Sequence, residues 1–361
     1  MEFTPPWAWV DGMNDWPHNM HGGIKFDPKT EIPNARTYTA VDEIRVRAFQ
    51  DHFWGNWGFL VQNLTFNASD DDAAIFTFSG GGWQEATGTT GAMHAPTAPA
   101  SWFVENVKQE LDSALEWYFD APTSTLLYVP ADGQAPDTTT DVFVASELIT
   151  LIAVNSSASA PSSEAEKMAT ETETESETES TSSSNKLVTG VTLNGLTFTG
   201  AAPTFYERYT ASGPGDWSIY KGGAVYLRGV TGATVSSCVF DSLGGNGLFM
   251  HDWVKESTVF GNEFLKLGDN AIAATGWYDL SNPTDQTHNR FPSDNVIESN
   301  HIHNIGIVGK QVACYHQSIA CHNTVKKNVR LQLSFCAVSF CGDTRFLHTR
   351  RMEYVCVCVC V

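Results

Sequence analysis

Short alternating runs of apolar and polar residues dominate the second half of the chain. Between residues 191 and 329 they are VTLNGLTFTG, GGAVYLRG, ATVSSCVFDSL, STVFGNEFLKL, NVIESNHIHNI and NTVKKNV. Gly, Asn or Asp separates the runs, and no amphipathic helical pattern of useful length lies among them. Because successive side chains of a strand point to opposite faces, the runs predict short strands that each bury one face.

The runs also repeat. FDSLGGNGLFM at 240–250 is echoed by FLKLGDNAIAA at 264–274, an offset of 24 residues without a gap. A period of this length with several strands per repeat indicates a stacked coil, and a parallel β-helix fits it best. Equivalent residues then lie above one another at about 4.8 Å. The predicted stacks are Phe240, Phe264 and Ile302; Leu243, Leu267 and Ile305; Gly244, Gly268 and Gly306; and an amide ladder of Asn262 and Asn300.

Two segments interrupt the repeat. Residues 155–186 form a Ser/Thr/Glu tract without core-forming residues, which we predict to be a disordered loop within the β-helix. The second interruption, TGWYDLSNPTDQTHNRFPSD, stretches the repeat between Asp269 and Ser293. Long loops on a rigid stack commonly shape a binding cleft.

The first 135 residues follow a different pattern. FLVQNLTF, AAIFTFSGG and STLLYVP are strand-like, a short helix is predicted from Val104 to Asp112, and a hairpin turn is predicted at Ala121-Pro122-Thr123. We therefore divide the chain into a mainly-β module at 1–135, a parallel β-helix at 136–329 and a tail at 330–361. The fold class is all-β.

Composition and charge narrow the possible functions. The chain has 41 acidic against 21 basic residues and a net charge of −20, with no basic stripe of the kind that binds nucleic acid. No segment is apolar enough to span a bilayer, and MEFTPPWAWVDG does not resemble a signal peptide. Three Asn-X-Ser/Thr triplets, at Asn63, Asn67 and Asn155, nevertheless favour a secreted protein that lacks its true N-terminus here.

Cysteine spacing predicts no metal site, because none of the eight cysteines has a credible zinc partner set, and the acids do not group as calcium ligands. No cofactor is expected either. The terminal VCVCVCV is what a GT dinucleotide repeat encodes, so we interpret 330–361 as non-native coding. The alternative is a genuine exposed tail.

The motifs WFVENVKQELDSALEWYFD, VTLNGLTFTGA, GDWSIYKGGAVYLRG, CVFDSLGGNGLFM, GNEFLKLGDNAIAATG and HNIGIVGKQ occur in this order between about residues 40 and 329. Together they resemble the right-handed parallel β-helix (solenoid) proteins of the pectin-lyase-like superfamily, and most nearly the group related to glycoside hydrolase family 141. The resemblance implies that the N-terminal module is an inserted β domain. It also implies glycosidase activity on plant- or algal-type polysaccharides.

The chain departs from this family pattern in places. Ala114-Leu115 stands where the family commonly has Pro-Gly. The coils that normally precede the inserted domain are absent, and the tail replaces the coils expected after Val329.

Glycoside hydrolysis needs two carboxyl groups at about 5 to 10 Å. Asp269 replaces Gly245 of the coil below, Asp241 lies near the same turn, and Asp216 opens another loop beside the stack. A pair drawn from these three is the predicted catalytic couple. The alternative for Asp269 is an Asx-turn residue that ties its own loop.

Other side chains are predicted to contact substrate. Lys310 aligns with Ile272 and Leu248, an apolar register in which a buried lysine needs a carboxylate such as Asp269; a register slip would instead place it in solvent. His303 lies on the same coil, and of His301 and His303 we expect one to face outward. The predicted sugar-stacking aromatics, which alternatively cap the stack, are Trp217, Trp277 and Tyr278, with Trp253 as a further possibility. Asp252 and Glu263 are predicted to be solvated.

The leading interpretation is a secreted, glycoside hydrolase-like protein that acts on a polysaccharide or oligosaccharide. A non-catalytic glycan-binding β-helix and an inactive truncated fragment are the alternatives. A glycosidase needs two acids facing each other across a groove, whereas a binder needs only aromatic side chains.

Overall fold

The computed structural model describes residues 23–49, 55–67, 73–82, 84, 102–137, 139–156, 187–211, 218–276, 290–310, 312–331, 339–341 and 357–358. In these ranges the chain is an all-β protein built as a parallel β-helix with an antiparallel sheet at its N-terminal end. Most of the predicted disordered tract, residues 157–186, lies outside the described residues. No helix in the described part is long and apolar enough to cross a membrane.

The N-terminal sheet contains five antiparallel strands in the order β1-β4-β3-β2-β5. Their bounds are β1 Ile24–Phe26, β2 Arg45–Phe49, β3 Asn56–Asn67, β4 Ala73–Gly81 and β5 Trp102–Glu105. One face of the sheet is buried because alternate positions carry apolar side chains, among them Ile24, Val46 and Phe76. Two 3-10 turns, Ala35–Thr37 and Val41–Glu43, connect β1 to β2.

The helix predicted from Val104 to Asp112 is wrong. Residues Trp102–Glu105 pair with β2 instead, and only Lys108–Glu110 form a single 3-10 turn. Pairing with a neighbouring strand therefore overrides the local helical pattern. The predicted hairpin is confirmed: β6 (Trp117–Asp120) pairs with β7 (Thr125–Tyr128).

Three parallel sheets form the β-helix, and each coil contributes one strand to each sheet. Sheet I consists of β8 Ile152–Asn155, β14 Val225–Thr231, β17 Leu248–Lys255, β20 Ile272–Thr275, β23 Tyr315–Ser318 and β26 Ser339–Cys341, with β9 Val188–Thr189 also beside β14. Sheet II consists of β10 Thr192–Asn194, β15 Thr234–Ser236, β18 Thr258–Phe260, β21 Val296–Glu298 and β24 Thr324–Lys326. Sheet III consists of β11 Thr197–Thr199, β16 Val239–Leu243, β19 Glu263–Leu267, β22 His301–Ile305, β25 Val329–Leu331 and β27 Val357–Cys358. A short antiparallel pair, β12 Thr210–Ala211 and β13 Ser218–Ile219, lies beside the stack.

The core stacks predicted from the repeat are confirmed. Phe240 pairs in register with Phe264, which pairs with Ile302, and the two Phe rings stack with their centroids 4.4 Å apart. Leu243, Leu267 and Ile305 follow the same register, and all of these side chains are buried. The 24-residue echo is therefore the length of one coil.

The predicted amide ladder is also confirmed. The side-chain oxygen of Asn262 accepts from the backbone N–H of Cys238, and that of Asn300 accepts from the N–H and amide of Asn262. Asn328 continues the ladder on the next coil. Each buried turn thus finds partners for backbone groups that no strand pairs.

Glycine at the turn after sheet III is required by close packing. A Cβ at Gly268 would lie 2.1 Å from the carbonyl oxygen of Gly244 on the coil below. Gly306 departs from this stack with a φ of 71°. After Ile305 the register changes, because the backbone N–H of Ala313, and no earlier residue, bonds the Asn270 side chain. The coil therefore contains an insertion around residues 306–311.

The N-terminal sheet docks beside this insertion. The Asn56 amide donates to the carbonyl oxygen of Val308 at 2.8 Å and accepts from the N–H of Lys310 at 2.9 Å. The guanidinium of Arg47 lies 5.0 Å from the ring centroid of Phe205. These contacts place the module against the turn that carries Asp269.

Candidate active site

The outer side of sheet I carries polar side chains that are nonetheless buried. Leu248, Met250, Ile272 and Ala274 point into the core, so the residues between them point outward. This outward face is covered, since Ile219 of β13 packs on Phe249 and Ala273. We call its polar residues the outer patch: Tyr226, Arg228, His251, Asp252, Thr275 and His316.

A β-bulge positions Asp252 in the outer patch. Arg228 pairs with His251 and Val230 with Val254, so β17 has one more residue than β14 between these pairs. Asp252 sits in this bulge with a left-handed φ of 53°. A non-glycine residue in this conformation is strained, and such bulges occur next to active sites, where they redirect a side chain.

The carboxylate of Asp252 is paired on one oxygen only. Arg228 donates through Nε and Nη2 to Oδ2, each at 2.8 Å, and Arg290 Nη1 lies 4.0 Å from the same oxygen. The side chain is 3% exposed, yet Oδ1 has no hydrogen-bond partner among the described residues. The nearest described donor to Oδ1 is His251 Nε2, at 3.6 Å. A buried carboxylate oxygen without a donor is costly, and it is available to a bound molecule.

His251 is held as a neutral imidazole. Burial lowers the pKa of His251 to about 4, nearby Lys221, Arg228 and Arg290 lower it further, and only Asp252 opposes them. Burial likewise raises the pKa of Tyr226 to about 12, so its hydroxyl stays protonated and donates to His251 Nδ1 at 2.6 Å. The proton of the neutral ring then resides on Nε2 and faces Asp252 Oδ1.

Two further polar groups of the outer patch lack partners. Thr275 pairs in register with His251, and His316 pairs with Ala273. Thr275 Oγ1 and His316 Nε2 are buried without a hydrogen bond among the described residues. Burial lowers the pKa of His316 to about 4, which keeps this ring neutral at pH 7. The patch thus presents an acceptor, a hydroxyl and imidazole nitrogens on one face.

Asp269 occupies a second buried polar environment, at the turn between sheets III and I. Its Oδ2 accepts from the Tyr209 hydroxyl at 3.0 Å, and its Oδ1 accepts from the Asn270 amide at 2.9 Å. Burial raises the pKa of Asp269 to about 6, although both hydrogen bonds lower it. Asp269 precedes β20 and the outer patch includes the last residue of that strand, so the two environments lie at opposite ends of sheet I.

The exchange of Gly245 for Asp269 between coils has a steric cause. A Cβ at Gly245 would lie 2.8 Å from the Thr204 side chain, so the lower coil has no room. One coil higher, the Asp269 carboxyl reaches Tyr209, whose hydroxyl also lies 3.1 Å from Thr204 Oγ1. The segment that supplies Thr204 and Tyr209 encloses Asp269, which is 5% exposed.

The other predicted acids are not brought to Asp269. Asp241 lies on the outward side of β16, half-buried, and accepts a hydrogen bond from Ser242 Oγ at 2.8 Å. Within the described ranges no hydrogen bond or ion pair joins Asp241 to Asp269. Asp216, Trp217, Trp277 and Tyr278 lie outside the described residues, and their roles stay predictions.

The predicted register of Lys310 is wrong. Tyr315, not Lys310, pairs with Ile272, because the insertion after Ile305 shifts the alignment. Lys310 is half-buried within that insertion, and its Nζ lies 3.5 Å from the carbonyl oxygen of Gly306. Burial, together with nearby Arg47, lowers the pKa of Lys310.

Two expectations for surface residues are also corrected. Asp252 is buried rather than solvated, because the segments that cover sheet I are distant in sequence and give no local signal. His301 and His303 both lie on the outer side of β22, with Ile302 inward, since residues two apart on a strand share a face. A lone polar residue in the run LFMHDWVKE was the only sequence signal for the bulge.

Searches against protein-family models and curated proteins find no match to this chain. A solved structure titled "Glycoside hydrolase" is similar, with a TM-score of 0.57 and 14% sequence identity. The match covers 84% of this chain and 51% of that chain, so this protein corresponds to about half of that structure. At this identity the likeness shows a shared fold.

Proposed function

We propose that the protein is a carbohydrate-active enzyme of the glycosidase type, with its reaction centre at the outer patch. The observation that carries the proposal is the buried, strained Asp252 with one unpartnered carboxylate oxygen. The fold shared with a protein titled "Glycoside hydrolase" supports the substrate class. We further propose that the chain is a relative of the pectin-lyase-like superfamily, near the group of glycoside hydrolase family 141.

The proposed roles follow from the contacts. Arg228 compensates the charge of Asp252, which acts as base or nucleophile through Oδ1. His251, oriented by Tyr226, supplies a proton-bearing Nε2 beside that oxygen. Thr275 and His316 pair with sugar hydroxyl groups, which satisfies atoms that the protein leaves unpaired.

The second carboxyl group is proposed to be Asp216. It precedes β13 by one residue, and Ile219 of β13 packs on Phe249 of sheet I. Hydrolysis of a glycosidic bond requires an acid on the side opposite the base or nucleophile. Asp241 and Asp269 stay alternative acids that the same assay tests.

An extracellular location is proposed as well. The asparagines of the three acceptor triplets, Asn63, Asn67 and Asn155, are all exposed, as glycosylation requires. Treatment of protein secreted from a eukaryotic host with a glycosidase specific for N-linked glycans should lower its apparent mass. Unchanged mass would argue against use of these triplets.

The decisive experiment is hydrolysis of a panel of polysaccharides by the full chain and its variants. Asp252→Asn should reduce kcat/KM by at least about 100-fold, because it removes the reacting carboxylate. Asp294→Asn, at an exposed acid of the turn before sheet II, is the matched control and should leave activity unchanged. Full activity of Asp252→Asn would refute the assignment.

A second variant separates function from folding. Thr275→Val removes a buried hydroxyl that has no partner among the described residues, so stability should be unchanged or about 1 kcal/mol higher. If this hydroxyl serves the substrate, KM should rise about tenfold. Saturable glycan binding by the wild type without cleavage would instead favour the non-catalytic binder.

A further inference from the structure

Glu263, His301 and His303 form a compact cluster on the outer side of sheet III. Glu263 pairs directly with His301 across β19 and β22, and His303 lies two residues farther along β22 on the same side. Glu263 Oε1 lies 3.4 Å from His301 Nδ1 and 3.3 Å from His303 Nε2. All three potential ligand atoms lie within 4.8 Å of one another.

These separations match those around a tetrahedral zinc ion. Zn²⁺ binds His nitrogen and carboxylate oxygen at about 2.0–2.2 Å, which places neighbouring ligand atoms about 3.3 Å apart. Two imidazole nitrogens and one carboxylate form a donor set that Zn²⁺ uses, with the fourth position open. The side chains are 21–43% exposed, so an ion can enter from solvent.

The strand pairing, rather than side-chain flexibility, brings the three groups together. Glu263 and His301 are 38 residues apart in sequence, and this coil contains the longest interruption of the repeat. Because both strands are fixed by the core stacks beneath them, the ligands are positioned before any ion binds. A comparable exposed pair, His322 and Asp294 at 3.6 Å, has only one imidazole and one carboxylate.

We propose that Glu263, His301 and His303 bind a zinc ion that links two successive coils of the β-helix. The bound ion crosslinks β19 and β22 on the outer side of sheet III. This site is separate from the outer patch, which lies on sheet I. It therefore does not rest on the proposed glycosidase function, and its loss should leave hydrolysis unchanged.

Calorimetric titration of the metal-free full chain with ZnCl2 tests the proposal. We expect saturable binding of one ion at this site in the wild type. His301→Ala and Glu263→Gln should each weaken this binding at least about tenfold, and His322→Ala, the matched control, should not. Zinc should also raise the thermal midpoint of the wild type but not of His301→Ala.

Cysteines elsewhere in the chain also bind zinc, so titration with Co²⁺ provides a second readout. A site of His and carboxylate ligands gives visible d–d bands without thiolate charge-transfer absorption, and these bands should vanish in His303→Ala. No saturable binding in the wild type would overturn the proposal. Equal affinity in the wild type and in both ligand variants, or a spectrum with thiolate ligands alone, would overturn it as well.

Discussion

At the scale of single residues, burial sets the charge of the acids and histidines that matter for function. Asp269 shows this most clearly, because its pKa of about 6 lies above the ordinary value of 3.8. The folded state thus binds this proton more tightly than the unfolded state does. The contribution to stability is fully present below pH 4 and is lost as the pH rises through about 6.

We expect Asp269→Asn to remove this pH dependence. At pH 7 the ionised carboxylate costs the wild type up to about 3 kcal/mol relative to pH 4, and the amide of the variant has no such cost. Urea unfolding of both proteins at several pH values between 4 and 7 measures the difference. Parallel pH profiles would show that Asp269 titrates normally.

The same variant bears on catalysis. If Asp269 is the acid predicted from the repeat, Asp269→Asn abolishes hydrolysis while the fold persists. If it only ties the turn through Tyr209 and Asn270, hydrolysis continues and only the pH profile of stability changes.

At the scale of the elements, the asparagine ladder holds the turns of successive coils together. The Asn300 side chain accepts from the N–H of Asn262 and donates to the carbonyl oxygen of Val259 and the side chain of Asn328. These groups are buried, so truncation leaves several of them unpaired.

Asn300→Ala should therefore lower the free energy of unfolding by about 2–4 kcal/mol. Asn194→Ala is the control: its amide bonds the Ser236 hydroxyl at the exposed surface of sheet II, and its removal should cost less than about 1 kcal/mol. Chemical denaturation of both variants checks the comparison. Equal losses at the two positions would contradict the structural role of the ladder.

The comparison between sequence and structure also belongs at this scale. The pattern predicted the Phe240–Phe264–Ile302 stack and the asparagine ladder, because a repeat of constant length places equivalent residues one above another. It failed at Lys310, where an insertion shifts the register. It failed as well at Asp252, whose burial depends on segments distant in sequence that cover sheet I.

The zinc cluster escaped the sequence analysis for the same reason. Metal motifs are recognised by short spacings within one segment, whereas Glu263 and His301 meet only through strand pairing across a lengthened coil. The paired histidines were visible, but their shared face became decisive only with Glu263 beside them.

At the scale of the whole molecule, the N-terminal sheet is attached to the β-helix at the turn that encloses Asp269. Asn56 of β3 bonds Val308 and Lys310 of the insertion, and a built Cβ at Gly309 would lie 3.6 Å from Asp269 Oδ1. Docking of the sheet and enclosure of this carboxyl are therefore expected to depend on each other.

Asn56→Ala tests this coupling. Loss of both amide contacts should cost about 1–3 kcal/mol and should speed hydrogen exchange of the backbone at 306–310. The pKa of Asp269 should fall toward 3.8, because a loosened insertion admits water to the carboxyl. Gln62→Ala, at an exposed position of the same strand, should change neither exchange nor pKa. Unchanged exchange at 306–310 in Asn56→Ala would show that other contacts, such as that of Arg47 with Phe205, suffice to hold the sheet in place.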